Sequence, residues 1–117
     1  MAKLLVHLST GPENPTRAAL ALLVARTATA EHEVSIFLAG DAVQLLRPQT
    51  AEAAVGVGTG NFGEHLDTLR SSGVPIFASG MSSKARGLDV GSVEGVEPAQ
   101  PQKLIELAVA ADATLSY

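Results

Sequence analysis

Short hydrophobic runs alternate along this chain with longer segments in which apolar residues recur at helical spacing. A short apolar run bounded by turn residues is typical of a strand that is buried on both faces of a sheet. Four such runs are present, at residues 3–8, 33–38, 74–78 and 113–117. The pattern leaves room for a fifth, short or irregular strand within residues 55–58 or 90–96.

The segments between these runs predict helices. Asn14 and Pro15 are typical of an N-cap and a first helical position, and the helix that they begin extends to about Thr29. This helix is apolar almost all round, which indicates burial on more than one side. Further helices are predicted at residues 42–47 before Pro48, from Phe62 to Gly73, at 82–88 as a helix or turn, and after Pro101, with irregular loops at 49–61 and 89–100.

Because strands and helices alternate throughout, the chain is typical of consecutive βαβ units. Right-handed crossovers between such units produce a parallel sheet with helices on both faces. We therefore predict a single domain, residues 1–117, with an α/β fold. The expected architecture is a three-layer α/β/α sandwich around a mostly parallel sheet of four or five strands.

The net charge of the chain indicates which classes of macromolecule it is unsuited to bind. The formal net charge is −4, whereas nucleic acids and anionic membranes attract concentrated basic surfaces. We expect neither as a partner. Only 17% of the residues are charged, against roughly 25% in soluble domains. Apolar surface is therefore expected to be covered by copies of the same chain, and a homo-oligomer is predicted.

The chain contains no cysteine. Disulfides, thiolate metal sites and thiol redox steps are therefore excluded. The sequence begins directly with a predicted strand and has no apolar run near the roughly 20 residues of a membrane helix. We expect a cytoplasmic protein. His32 and His65 lack the partner spacing of metal ligands, and we predict neither a metal nor a cofactor.

Residues 58–63 match the string G-x-G-x-x-G. In dinucleotide-binding proteins this string follows a strand, and an acidic residue lies about 20 positions further on. Here no convincing strand precedes the string, and the next strand ends in Ser79. We therefore predict a flexible loop, with a lid over the strand ends as its candidate role.

Parallel strands gather their carboxyl ends at one edge of a sheet, where such folds bind their ligands. No residue is assigned a catalytic role from the sequence. The residues predicted to form a candidate ligand site at this edge are His7, Ser9, Thr10, Asp41, Ser79, Gly80, Ser82, Ser83, Lys84 and Arg86.

The serine-rich turn after the third predicted strand has two interpretations. It forms a pocket for a small anion if backbone N–H groups, the serine hydroxyls and the side chains of Lys84 and Arg86 converge. In the alternative, Ser82 or Ser83 caps a helix. Gly80 then makes the turn, and Arg86 pairs with an acidic neighbour.

His7 also has two interpretations, as an acid/base group that faces the site or as a buried, hydrogen-bonded core residue. A triad of Ser79, His7 and Asp41 is conceivable because all three lie at strand ends. No G-x-S-x-G elbow is present, however, which disfavours a hydrolase. A simpler role for Asp41 is to cap the short helix that begins at Ala42.

Five segments carry a resemblance to a known family. The first is the opening strand with its polar loop. The others are Pro15–Ala18 as p-x-R-A, residues 34–43 as V-x-x-F-x-x-G-D-x-V, residues 73–76 leading into K-A-R-G at 84–87, and a closing helix followed by residues 111–115 as A-D-x-x-L. In this order and spacing the chain resembles, over nearly its full length, the DsrE-like (DsrE/DsrF-like) family of small sulfur-relay proteins. The resemblance implies a three-layer α/β/α fold assembled as trimers or hexamers. For members that have the family's cysteine, it also implies transfer of persulfide sulfur between proteins.

The family's cysteine is absent here, and Ser79 or Ser82 occupies the matching position. A serine hydroxyl is far less acidic than a thiol and cannot form a persulfide. We therefore predict a small oligomeric, non-catalytic protein that binds a small ligand or acts as an accessory factor. One alternative is an enzyme acting on a small anionic substrate at the Ser79–Arg86 turn. Another is a structural module whose apolar helix docks a different protein.

Overall fold

The structure is a computed structural model that describes all 117 residues, Met1–Tyr117. The strands are β1 (Lys3–Leu8), β2 (Glu33–Leu38), β3 (Val55–Gly56), β4 (Gly60–Asn61), β5 (Ile76–Ser79), β6 (Glu97–Ala99) and β7 (Ala113–Ser116). The α-helices are α1 (Pro15–Ala28), α2 (Pro48–Ala53), α3 (Phe62–Ser71), α4 (Gly80–Ala85) and α5 (Pro101–Ala110). Two 3₁₀ helices span Gly40–Leu46 and Val90–Ser92.

The central sheet contains five strands in the order β6-β5-β2-β1-β7, and all neighbouring strands in it are parallel. Three strands are aligned residue by residue in the middle of the sheet. His7 of β1 lies beside Phe37 of β2, and Phe37 lies beside Phe77 of β5. β3 and β4 form a separate antiparallel hairpin. The predicted α/β fold with a mostly parallel sheet is confirmed.

The two faces of this sheet are covered unequally. Side chains alternate between the faces, and on one face Val6 and its neighbours are buried under α1 and α3 in the main hydrophobic core. On the other face, a smaller cluster around Phe37 packs against Leu104 and Leu107 of α5. None of the residues of α5 is itself buried. The layer that α5 forms is therefore thin.

α1 is packed on several sides, as its sequence predicts. Ala18, Ala21 and Leu22 are fully buried, because this helix contacts the sheet, α3 and the β3–β4 hairpin. Asn14 caps the helix by accepting a hydrogen bond from the Arg17 N–H at 3.1 Å. No helix of the structure is both long enough and apolar enough to cross a bilayer.

The prediction of an irregular loop at residues 49–61 is wrong. Pro48 begins α2, and the helix predicted at 42–47 is a 3₁₀ helix that starts two residues earlier. The hairpin turn uses left-handed backbone at Gly58, where φ is +76°. Thr16 of α1 fixes the hairpin, since its Oγ1 accepts from the Val57 N–H at 3.0 Å and its carbonyl accepts from the Thr59 hydroxyl at 3.0 Å.

The fifth strand of the central sheet lies just outside the ranges predicted for it. It is β6, which begins one residue after the range 90–96. β6 is difficult to predict from the sequence because it contains Pro98. Proline lacks an N–H and occurs in sheets almost only at edges. β6 pairs with β5 alone, so it is such an edge. The other range, 55–58, contains β3 of the separate hairpin. The predicted irregular segment 89–100 also contains the second 3₁₀ helix.

Candidate functional site at the carboxyl edge of the sheet

The carboxyl ends of β1, β2 and β5 meet at one edge of the sheet, called the carboxyl edge below. His7 near the end of β1 and Ser79 at the end of β5 both lie there, because all the strands point the same way. β2 separates β1 from β5. With about 4.8 Å between neighbouring strands, the two backbones are about 10 Å apart.

Ser79 has a structural role as the N-cap of α4. Its Oγ accepts a hydrogen bond from the Ser82 N–H at 3.1 Å. The prediction that Ser82 or Ser83 is the cap is wrong, because the helix begins at Gly80, before both. The Ser82 hydroxyl instead accepts from the Gly40 N–H at 2.9 Å. These two bonds fasten the start of α4 to the loop that follows β2.

Arg86 is held by an acidic neighbour, which is the second of its two predicted roles. Its Nη2 lies 2.9 Å from Asp41 Oδ1, and its Nη1 donates to the Ser82 carbonyl at 3.1 Å. Asp41 does not cap the short helix as predicted, because that 3₁₀ helix starts after Ala39 and has no side-chain cap. The guanidinium of Arg86 is thus already neutralised within the chain.

The remaining predicted site residues differ in accessibility. Lys84 is exposed and makes no ion pair. Ser83 is only 1% exposed, and its Oγ has no hydrogen-bond partner, so its hydroxyl is not available at the surface. Ser9 donates through Oγ to the Tyr117 carbonyl at 3.3 Å. Thr10 is half-buried and has no side-chain hydrogen bond.

His7 does not fully match either interpretation. Its ring contacts Phe37 edge to face, with 6.2 Å between the centroids. Its Nε2 is buried but has no hydrogen-bond partner, so it is not the hydrogen-bonded core histidine of the sequence prediction. Burial lowers the pKa of His7 from its ordinary value of 6.5, since desolvation disfavours the charged ring.

The triad of Ser79, His7 and Asp41 is not assembled. β2 lies between His7 and Ser79, the Ser79 hydroxyl caps α4, and Asp41 pairs with Arg86. His7 makes no hydrogen bond to either of the other two residues. The structure therefore gives no support to a hydrolase of this type.

The lowered pKa of His7 predicts a pH-dependent stability. Between the folded-state pKa and 6.5, the unfolded chain holds more protons on this residue than the folded chain. The stability that His7 contributes is therefore complete above about pH 6.5 and is lost as the pH falls towards the folded-state pKa. Denaturant unfolding from pH 7.5 down to 5.5 should show the wild type losing stability relative to His7→Leu. Parallel losses in the two proteins would contradict the desolvation of His7.

The Gly-rich segment 58–63 is not the predicted flexible lid. It forms the hairpin turn and the start of α3, where Asn61 caps the helix by accepting from the Glu64 N–H at 3.0 Å. His65 bonds to this segment through Nε2 and the Thr59 carbonyl at 2.8 Å, while its Nδ1 lies 2.9 Å from Arg26 Nη1. Because arginine only donates, Nδ1 accepts and Nε2 carries the proton. No feature of the sequence reveals this role of His65.

Three cavities of about 610, 1090 and 350 Å³ lie elsewhere on the surface. None of the three is lined by the predicted site residues. The structure also contains no group of three histidine or acidic side chains arranged to hold a metal ion.

Known proteins share this fold. The sequence profile described as the DsrE/DsrF-like family matches residues 2–117. The crystal structure of the YchN protein from E. coli superposes with a TM-score of 0.78 at 21% sequence identity, covering 100% of both chains. MTH1491 from Methanobacterium thermoautotrophicum, described as a protein of unknown function, superposes with a TM-score of 0.76 at 15% identity, again over 100% of both chains. No curated protein sequence matches the chain.

Proposed function

Since the chain belongs to the DsrE/DsrF-like family, we propose that it is a non-catalytic, self-associating accessory protein of that family. The family resemblance implies sulfur transfer only for members with a cysteine, and this chain has none. It therefore has no thiol on which persulfide sulfur can be carried.

The contacts at the carboxyl edge support a non-catalytic role. The Ser79 hydroxyl caps α4, and the Ser82 hydroxyl accepts from Gly40. The Arg86 guanidinium is paired with Asp41. A serine nucleophile is typically activated by a base within hydrogen-bond reach, and neither hydroxyl contacts a base. These side chains stabilise the loop geometry of the carboxyl edge.

The observation that carries the proposal of self-association is the exposed outer surface of α5. Ile105 is 63% exposed and Val109 is 81% exposed, and they lie one turn apart on the same helix face. Lys103 and Glu106, the charged residues of this helix, lie 3.8 Å apart and balance each other. Copies of a chain with net charge −4 repel, so an apolar surface without net charge favours contact between them.

Replacing both Ile105 and Val109 with lysine should convert the assembly to monomers, because each contact would then bury unpaired charge. Native mass spectrometry of the wild type should show three or six chains, as the family resemblance implies. Val57→Lys is a matched control, since Val57 is 86% exposed on the hairpin and its replacement should leave the assembly intact. A monomeric wild type, or a double variant that keeps the wild-type mass, would contradict the proposal.

An enzyme acting on a small anion is the alternative function, and the free side chain of Lys84 favours it. The ammonium group of Lys84 is exposed beside the serine-rich turn, without a carboxylate partner. Calorimetric titration with phosphate separates the two functions. Binding that is lost in Lys84→Met at an unchanged melting temperature would support the anion site, and no binding by the wild type would favour the accessory role.

A further inference from the structure

A cavity of about 610 Å³ opens at the end of the sheet opposite to the carboxyl edge. It lies where β1, β2 and β5 begin, beside the last turn of α5. Its walls are partly apolar, with Leu5 from β1 and Leu107 from α5, and partly polar, with Lys3, His32, Glu33 and Ser35. None of the contacts at the carboxyl edge involves this region.

The cavity is lined by one basic and one acidic side chain, and these two are not paired with each other. Lys3 and Glu33 are direct neighbours across β1 and β2, yet neither side chain forms an ion pair. His32 accepts a hydrogen bond from the Ala2 N–H with Nδ1 at 3.0 Å. Its proton is therefore on Nε2, which is a donor. The Ser35 hydroxyl makes no hydrogen bond within the chain.

The backbone adds a negative potential at the same place. α1 ends at Ala28, α3 at Ser71 and α5 at Ala110, and residues at all three helix ends line the cavity. The carboxyl end of a helix carries partial negative charge because its peptide dipoles are aligned. A cationic group is therefore favoured near Glu33 and these helix ends.

We infer that this cavity binds a small zwitterion with an aliphatic group, which is the chemistry of a free α-amino acid. Lys3 and the Nε2–H of His32 bind its carboxylate. Glu33 and the Ser35 hydroxyl bind its ammonium group, and the aliphatic group packs against Leu5 and Leu107.

Ligands that carry one charge fit less well. A simple anion would be repelled by Glu33 and by the three helix carboxyl ends. A simple cation would be repelled by Lys3, and it has no acceptor for the hydrogen bonds that Lys3 and His32 can donate. The cavity adjoins Leu107, which packs towards the sheet, whereas Ile105 and Val109 are exposed. The residues that bind the ligand are therefore different from the two that carry the proposed self-association.

Calorimetric titration with L-leucine tests the inference. We expect a dissociation constant of about 1 mM, because the site is open and a ligand of this size has few atoms. Two analogues each lack one charge: 4-methylpentanoate lacks the ammonium group and 3-methylbutylamine lacks the carboxylate. Both should bind at least about tenfold more weakly, since each loses one charge-assisted contact.

Variants identify the site on the protein. Lys3→Met and Glu33→Gln should each weaken leucine binding about tenfold, whereas Glu97→Gln, which removes an exposed carboxylate of β6 outside the cavity, should leave it unchanged. Lys3 and Glu33 are exposed, so both variants should fold. No binding by the wild type, equal binding of leucine and either analogue, or an equal loss in Glu97→Gln would overturn the inference. The analogue series uses only the wild type and decides the question even if a variant fails to fold.

Discussion

Replacing Gly11 with alanine is expected to destabilise the protein by about 3 kcal/mol, the upper range for an overpacked interior. Gly11 is buried in the loop after β1. A Cβ atom there would overlap the carbonyl oxygen of Asp41 and lie 2.6 Å from its carbonyl carbon. Asp41 has little freedom to move away, since Arg86 holds its side chain. Denaturant unfolding monitored by circular dichroism measures the effect.

Gly80→Ala is the matched control for this experiment. Gly80 also lies at the carboxyl edge, but a Cβ atom there would come no closer than 3.4 Å to its nearest neighbour, Gln100 Nε2. We expect a change within about 0.5 kcal/mol. Equal stabilities of Gly11→Ala and the wild type would mean that the loops after β1 and β2 are not in the close contact described here.

Introducing a cysteine at Ser79 is expected to create a reactive thiol where the wild type has none. The Ser79 side chain accepts the Ser82 N–H at the start of α4, and a thiolate in the same place would accept that bond. Thiols at helix amino ends have a pKa below the usual value of about 8.5. Alkylation by iodoacetamide at pH 7 should be about tenfold faster than for an ordinary exposed thiol, corresponding to one pKa unit.

Ser71→Cys provides the comparison, because Ser71 is an exposed serine at the opposite end of a helix, the last residue of α3. Carbonyl groups there disfavour a thiolate. The dependence of the alkylation rate on pH gives the thiol pKa of both variants. If Ser79→Cys reacts no faster than Ser71→Cys, the carboxyl edge lacks the electrostatics that thiol chemistry requires.

The alternation of apolar runs and helical segments was sufficient to predict the layers and the parallel sheet. Runs such as Leu4–Leu8 carry apolar residues on both faces, which is typical of a strand in a sheet covered on both sides. The cap at Asn14 followed from local rules. These predictions succeeded because each depends on residues that are close together in the sequence.

The features that sequence analysis missed depend on contacts between distant residues. The hairpin at 55–61 is fixed by Thr16, about 40 positions away. Similarly, the sequence does not show that Arg86 pairs with Asp41, or that β2 separates His7 from Ser79. Ser83 belongs to a serine-rich turn, which is typical of the protein surface, yet the packing of α4 buries it. Such features follow from the order of the strands in space, which the local pattern does not specify.

The position of β7 beside β1 affects how the protein is made. Leu4 pairs with Ala113, so one side of the first strand stays unoccupied until the ribosome has synthesised residues 113–116. Contacts over such a sequence separation form slowly, because a long loop must close before they contribute. The nascent chain therefore exposes an open β1 edge until β7 has left the ribosome, and we expect the sheet to be completed only then.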